Sequence, residues 1–156
     1  MITIDIPGFG QLDLAYLVAD YNGTLAVDGV LLPGVAEALS GIATLIDVHV
    51  ITADTFGLAR SQLSGLPVSL TITPVEHQAE TKLEFITRLG ASSSVAIGNG
   101  RNDRRMLEAA AVGIALIQGE GGAAASLASA DIVCTSVLDA LALLQHPKRL
   151  TATLRS

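Results

Sequence analysis

Short apolar runs rich in β-branched residues alternate with segments of helical spacing along the whole chain, and that alternation constrains the architecture more than any single motif. Leu12–Ala19 reads as a strand closing on a buried run, Tyr16-Leu17-Val18-Ala19. Val48–Thr52, Val68–Ile72, Ser94–Ile97, Val112–Leu116 and Asp131–Cys134 read as further strands. Between them, Pro33–Ile46, Thr55–Leu63, Ala79–Leu89, Asn102–Ala110, Gly122–Leu127 and Val137–Leu144 read as helices, with Pro33 suited to a first turn and Gly90 to a helix C-terminus. Strands buried on both faces and separated by helices form a parallel sheet covered on both sides. The expectation is a single α/β domain over residues 1–156, a doubly wound (Rossmann-like) parallel sheet. Residues 1–11 would contribute an edge strand, and residues 147–156 a helical extension or C-terminal tail.

Composition narrows the class. Half of the 156 residues are hydrophobic but only 3% are aromatic and none is Trp, so Ala, Val, Ile and Leu must build the core. Disorder, a collagen-like fibre and a disulfide scaffold are excluded. A lone cysteine, Cys134, forms no internal bridge, which makes a reducing cytoplasm the expected location. Mean hydropathy is high at +0.54. Yet the most apolar stretches, 29–46 and 109–130, are broken by Glu37 and Pro33 and by Glu120 and glycines, so neither reads as a membrane span. The first residues lack the pattern of a signal peptide. A net charge of −6 argues against nucleic acid and anionic membrane surfaces as partners. The charge is uneven: residues 1–59 hold seven acids and no Lys or Arg, whereas all nine basic residues lie in 60–156.

Two local patterns point to a site. Leu25–Leu32 places Asp28-Gly29 between β-prone pairs, a hairpin signal, directly after the first buried strand. Such a hairpin stands over the carboxyl edge of the sheet, where α/β folds bind ligands. At that edge the sequence also aims Asp20 in Asp20-Tyr21-Asn22-Gly23-Thr24, Thr52 in Ile51-Thr52-Ala53-Asp54, Lys82 early in a helix, and Gly98-Asn99-Gly100-Arg101-Asn102-Asp103. Successive strand ends converge on one crevice. An aspartate nucleophile, a Thr and a Lys for phosphate, and a second Asp for a metal make a phosphoryl-transfer set.

The order Asp20…Thr52…Lys82…Asp103, with Asp-x-Asn-Gly-Thr first and Gly-Asn-Gly-x-Asn-Asp last, resembles the haloacid dehalogenase (HAD) superfamily of aspartate-nucleophile phosphotransferases. Within it the sequence looks most like the phosphorylation domain of P-type ATPases. Thr52-Ala53-Asp54 resembles their Thr-Gly-Asp element, and Ala109–Ala115 with Ala128–Val133 resembles the segment after their last motif. The resemblance covers about residues 14–145. Only 32 residues separate Asp20 from Thr52, and 30 separate Thr52 from Lys82, leaving no room for a nucleotide-binding or cap domain. The chain thus resembles the soluble, capless P-type-ATPase-like branch.

That resemblance implies roles. Asp20 would be the phosphorylated nucleophile. Asp20, the backbone carbonyl of Asn22, and Asp103 would hold Mg²⁺. Thr52 and Lys82 would bind the transferring phosphoryl group of a small phosphorylated substrate, with Ala53, Asn99 and Asn102 in support. Asn102 would orient Asp103 or Lys82, and Asp54 would support the second motif. Capless relatives associate so that a neighbour covers the site, which implies a homo-oligomer. Two departures qualify the activity: the family's usual acid, two residues after the nucleophile, is Asn22 here, and Asn99 stands where an Asp is frequent. The Mg²⁺-dependent phosphohydrolase reading therefore stands beside an alternative, a weak or inactive HAD-fold regulatory or interaction protein. Arg101, Arg104 and Arg105 read as a second phosphate contact or a solvated face. The three histidines read as structural or surface residues, Cys134 as a small buried hydrophobe, and Gly119–Gly122 as a turn between strand and helix.

Overall fold

The computed structural model describes residues 1–156. Six strands form one parallel sheet: β3 (Tyr16–Asp20), β6 (Asp47–Thr52), β7 (Ser69–Ile72), β8 (Ser94–Gly98), β9 (Val112–Leu116) and β10 (Ile132–Cys134), in the order β10-β9-β8-β3-β6-β7. Strand β3 is central, paired in register with β6 (Tyr16↔Asp47) and with β8 (Tyr16↔Ser94). The chain winds outward from β3 to β7, then crosses back to β8 and winds outward to β10. The crevice at the carboxyl end of β3 is therefore the point where the winding reverses, the ligand-binding position of such sheets.

Alternation along each strand serves two helical layers. Leu17 and Ala19 of β3, Val95 and Ile97 of β8, and Val112, Ile114 and Leu116 of β9 enter a core shared with helices α1 (Val35–Ile42), α6 (Val137–Gln145) and α7 (Pro147–Leu154). Their opposite neighbours, Val18, Ala96 and Ala115, meet α3 (Gln78–Leu89) and α4 (Arg104–Ala109) through Ile86, Met106 and Leu107. This second layer sits close to the sheet. A Cβ on Gly113 would lie 2.2 Å from the Leu107 carbonyl oxygen, so small residues on this face are a packing requirement.

The hairpin after β3 forms as its sequence implies. Strands β4 (Ala26–Val27) and β5 (Val30–Leu31) are antiparallel, and the turn residues Asp28 and Gly29 both have positive φ, 52° and 81°. That is the backbone a two-residue hairpin turn demands of both central positions. No cap is inserted.

Several expected boundaries shift for local reasons. The expected strand Leu12–Ala19 is two strands that part at Ala15, whose N–H reaches the Ser93 carbonyl at 2.8 Å. Its first half, β2 (Gly10–Leu14), pairs with β1 (Ile2–Ile6) in a separate two-stranded antiparallel sheet. The expected edge strand thus does not join the parallel sheet, because the Pro7-Gly8-Phe9 turn folds it back on β2, with Phe9 N–H donating to the Ile6 carbonyl at 3.0 Å. Ile2, Ile4, Ile6, Leu12 and Leu14 bury one face of this hairpin, and α7 packs on it, so the expected tail is a helix with a buried Leu150. Left-handed Gly34, Asp54 and Gly57 shorten the helices expected at 33–46 and 55–63 to α1 and to α2 (Ala59–Gln62). The expected helix from Asn102 opens as a 3₁₀ turn, Arg101–Asp103, before α4, and the last short helix is α5 (Ala124–Ser129). No helix is long and apolar enough to cross a membrane.

Candidate active site

Asp20 is the last residue of β3, and Thr52 the last of β6. Lys82 lies on α3 and Asp103 in the turn after β8. The fold brings all four to the carboxyl edge. Lys82 Nζ donates to Asp20 Oδ1 at 2.9 Å and to Asp103 Oδ1 at 2.8 Å. Lys82 is 1% exposed and Asp103 0%. Beside them opens a pocket of about 330 Å³ whose lining includes Asp20, Asn22, Thr52, Ala53, Lys82, Asn99 and Asn102, all of them expected site residues.

Asp103 is the expected site residue that does not line this pocket. Its Oδ2 accepts the backbone N–H groups of Asn99, at 3.1 Å, and Gly100, at 2.9 Å. It thus fixes both the loop after β8 and the lysine from behind the wall. Asn102 lines the pocket without a side-chain hydrogen bond to Asp103 or Lys82. Asp54 supports the second motif directly: its N–H donates to Thr52 Oγ1 at 3.0 Å, and its Oδ1 accepts from Ala59 N–H at 3.0 Å. With a lone pair occupied, Thr52 keeps its hydroxyl hydrogen free to donate to a phosphoryl oxygen. None of Arg101, Arg104 and Arg105 lines the pocket. Arg105 pairs with Glu80 at 3.5 Å, and Arg104 caps the Arg101 carbonyl at 2.9 Å.

Three neutral side chains complete the site. Thr24, fully buried, places its Oγ1 3.3 Å from both Asp20 Oδ2 and Asn99 Oδ1. Asn99 Nδ2 donates to the Gly121 carbonyl at 3.0 Å. Gly23, at φ 81°, lies over this amide, which a Cβ would meet at 2.4 Å, so no side chain fits there. Gln118, which sequence reasoning misses, donates to the Thr24 carbonyl at 2.9 Å and accepts from Val137 N–H at 2.7 Å, tying the Asp20 loop to the start of α6. Its one signal is position: it follows the end of β9, at the same carboxyl edge.

The electrostatics follow from two carboxylates sharing one ammonium out of water. Burial, and then the Asp103 carboxylate, push Asp20 up to about 6 against the pull of Lys82. Burial opposes the Lys82 charge too, but two carboxylates outweigh it and hold the ammonium above the ordinary lysine range. The two shifts agree: the lysine sees two opposite charges, whereas Asp20 sees one of each sign. The buried group keeps an excess negative charge, and the Asn22 carbonyl accepts no hydrogen bond. Both features fit a hard divalent cation. No group of three or more His, Cys, Asp or Glu gathers anywhere in the molecule, so such a cation would rely on carbonyl and water ligands, as Mg²⁺ commonly does.

A parallel sheet whose central strand ends in a lysine-bridged aspartate under a small flap defines a capless α/β fold. Comparison with known proteins names it: this is the fold of HAD-superfamily hydrolases, shared with part of a P-type ATPase. A hydrolase assigned to the HAD superfamily (subfamily III A) from Legionella pneumophila superposes with TM-score 0.64 at 17% identity, over 90% of this chain and 88% of that one. The 3-deoxy-D-manno-octulosonate 8-phosphate phosphatase of Moraxella catarrhalis, crystallised with magnesium, phosphate and KDO, gives TM-score 0.71 at 17% identity, over 92% and 94%. A zinc-transporting PIB-type ATPase gives 0.63 at 25% identity, over 79% of this chain but 20% of that protein. No protein-family model matches the chain. In sequence, the uncharacterized protein MJ0073 of Methanocaldococcus jannaschii is 46% identical over 61 residues, 39% of this chain and 66% of that protein, just under two thirds of its length.

Proposed function

We propose that the chain is a Mg²⁺-dependent phosphohydrolase that passes the phosphoryl group of a small substrate through Asp20. The observation that carries this reading is the buried Asp20–Lys82–Asp103 group opening, through Asp20 and Lys82, into a polar pocket at the reversal point of the sheet. An Asp20 carboxylate oxygen attacks phosphorus, the bond from phosphorus to the leaving-group oxygen breaks, and the leaving group departs with the electron pair. Water then attacks the phosphorus of the acyl phosphate. The phosphorus–Asp20 bond breaks, releasing inorganic phosphate and restoring the carboxylate. Thr52 and Lys82 hold the phosphoryl oxygens while charge develops on them. Mg²⁺ would be held by Asp20, the Asn22 carbonyl and water, with Asp103 anchoring the loop behind them, and would supply further charge neutralisation at those oxygens. The magnesium and phosphate of the Moraxella phosphatase structure support both the cation and a small phosphorylated substrate.

Asn22 sets the leaving-group preference. An amide gives no proton, so phosphates whose leaving groups are stable as anions, acyl and aryl phosphates, suit the site better than alkyl phosphates. The test is Mg²⁺-dependent phosphate release from acetyl phosphate or 4-nitrophenyl phosphate by the wild type and by Asp20→Asn. Activity lost in the variant supports the reading, and equal activity in both overturns it. Asn22 and Asn99 favour a second reading, a fold kept for binding without turnover. A folded protein inert across a broad phosphate-ester panel selects that one.

A further inference from the structure

Beyond the phosphoryl position, the pocket offers two carboxylates and the neutral side chains of Thr55, Gln78 and Asn102, and no available cation. Lys82 is its one basic lining residue, and that ammonium is committed to two carboxylates at 1% exposure. The acids Asp54 and Glu120 also line the pocket. Each is held by one backbone N–H, Asp54 Oδ1 by Ala59 at 3.0 Å and Glu120 Oε2 by Asp28 of the flap at 3.4 Å. Their second oxygens accept no hydrogen bond from the protein. Independently, Asn22 Oδ1, in the same pocket, is buried without any hydrogen-bond partner, an acceptor lacking a donor. Arg101 sits between the lining residues Gly100 and Asn102 but does not itself line the pocket.

We propose that this pocket selects phosphorylated compounds whose leaving group is cationic or uncharged and carries hydrogen-bond donors, and rejects those whose leaving group bears a carboxylate. The inference rests on the phosphohydrolase reading and adds its substrate class. With no proton donor at Asn22 the leaving group separates as an anion, and a further negative charge on it meets two fixed carboxylates. A donor on the leaving group instead satisfies Asn22 Oδ1. The chain thereby differs from its octulosonate phosphatase neighbours, whose leaving group, KDO, is a sugar acid. With bulk-water screening at a separation of about 4 Å, each acid discriminates against a carboxylate by about 5-fold.

The test uses two size-matched phosphonates that cannot be hydrolysed, 3-aminopropylphosphonate and 3-phosphonopropionate, titrated calorimetrically into the protein at saturating Mg²⁺. The wild type should bind the aminophosphonate about 20-fold more tightly or better. Asp54→Asn combined with Glu120→Gln keeps an oxygen for each backbone N–H and should shrink the difference to about 3-fold or less. Equal affinities in the wild type, or tighter binding of the carboxylate, overturn the charge selection and leave the phosphohydrolase reading standing. Failure of both phosphonates to bind overturns the two together.

Discussion

The Lys82 ammonium donates to Asp20 Oδ1 at 2.9 Å across a sequence separation of 62 residues, and both groups are buried. The ion pair is therefore fixed by the fold rather than by chain proximity, with α3 carrying the lysine to the end of β3. Because Asp103 shares the same ammonium at 2.8 Å, one cation holds two carboxylates that would otherwise repel each other.

Lys82→Met should accordingly destabilise the metal-free protein by about 3–5 kcal/mol, the usual cost of removing one member of a buried ionic group. The remaining carboxylates should then bind a divalent cation more strongly than in the wild type. Thermal unfolding checks both: a lower Tm without metal, and a larger Mg²⁺-induced rise than the wild type shows. A Mg²⁺ response no greater than that of the wild type would mean that these carboxylates are not the cation site.

Asp20 gives the metal-free protein a pH dependence of defined sign. Its carboxyl titrates near 6 when folded, mainly because it is buried, and at about 3.9 when unfolded. The unfolded chain loses that proton first, so this group's contribution to stability declines as pH rises from about 4 to 6 and stays low above. Asp20→Asn removes the titration. The variant should exceed the wild type in stability at about pH 8 by up to about 3 kcal/mol and converge with it below about pH 4. Chemical denaturation in EDTA at several pH values measures the gap. A gap constant with pH would refute the assignment.

Tyr21 is fully buried and its hydroxyl donates to the Gly29 carbonyl at 2.8 Å, holding the flap turn down on the end of β3. Burial, and secondarily Asp54, raise this phenol to about 12, so it remains a donor through neutral and moderately alkaline pH. Tyr21→Phe should cost about 1 kcal/mol and free the flap. Hydrogen exchange should accelerate at amides 26–31 and leave β8 unchanged. Uniform acceleration would instead indicate global destabilisation.

How much of this is legible in the sequence depends on whether a feature is set by periodicity or by partner choice. The strand runs and their ends place Asp20 and Thr52 at the carboxyl edge, and Asp28-Gly29 announces its hairpin. Those signals depend on local backbone preference and on one-dimensional spacing. The hairpin of β1 and β2 escapes such a reading because Leu12–Ala19 has no break in its strand-forming pattern, and only the change of partner at Ala15, from β1 to Ser93 and Asp47, divides it. The withdrawal of Asp103 behind the pocket wall has no sequence signal, since it depends on two loop amides and Lys82 competing for one carboxylate. Gln118 is invisible for the same reason: its partners, Thr24 and Val137, lie 94 and 19 residues away.

Asn22→Asp tests whether the missing proton is what limits the chemistry. Asn22 lines the pocket two residues after Asp20, and its Oδ1 is already buried without a partner, so a carboxyl of nearly the same shape fits the position. Surrounded by the Asp20 and Asp103 charges and shielded from water, the introduced carboxyl should stay protonated to a higher pH than an ordinary aspartate. That is the state a general acid needs at neutral pH. Alkyl phosphate hydrolysis should therefore rise by about 10²-fold or more, while 4-nitrophenyl phosphate, whose leaving group needs no proton, should gain far less. The rise should carry an alkaline limb in the pH–rate profile that the wild type lacks. A uniform gain on both substrates would place the benefit in water attack on the Asp20 acyl phosphate, the step they share, and no gain on either would leave the pocket as a binding site whose remaining machinery does not turn over.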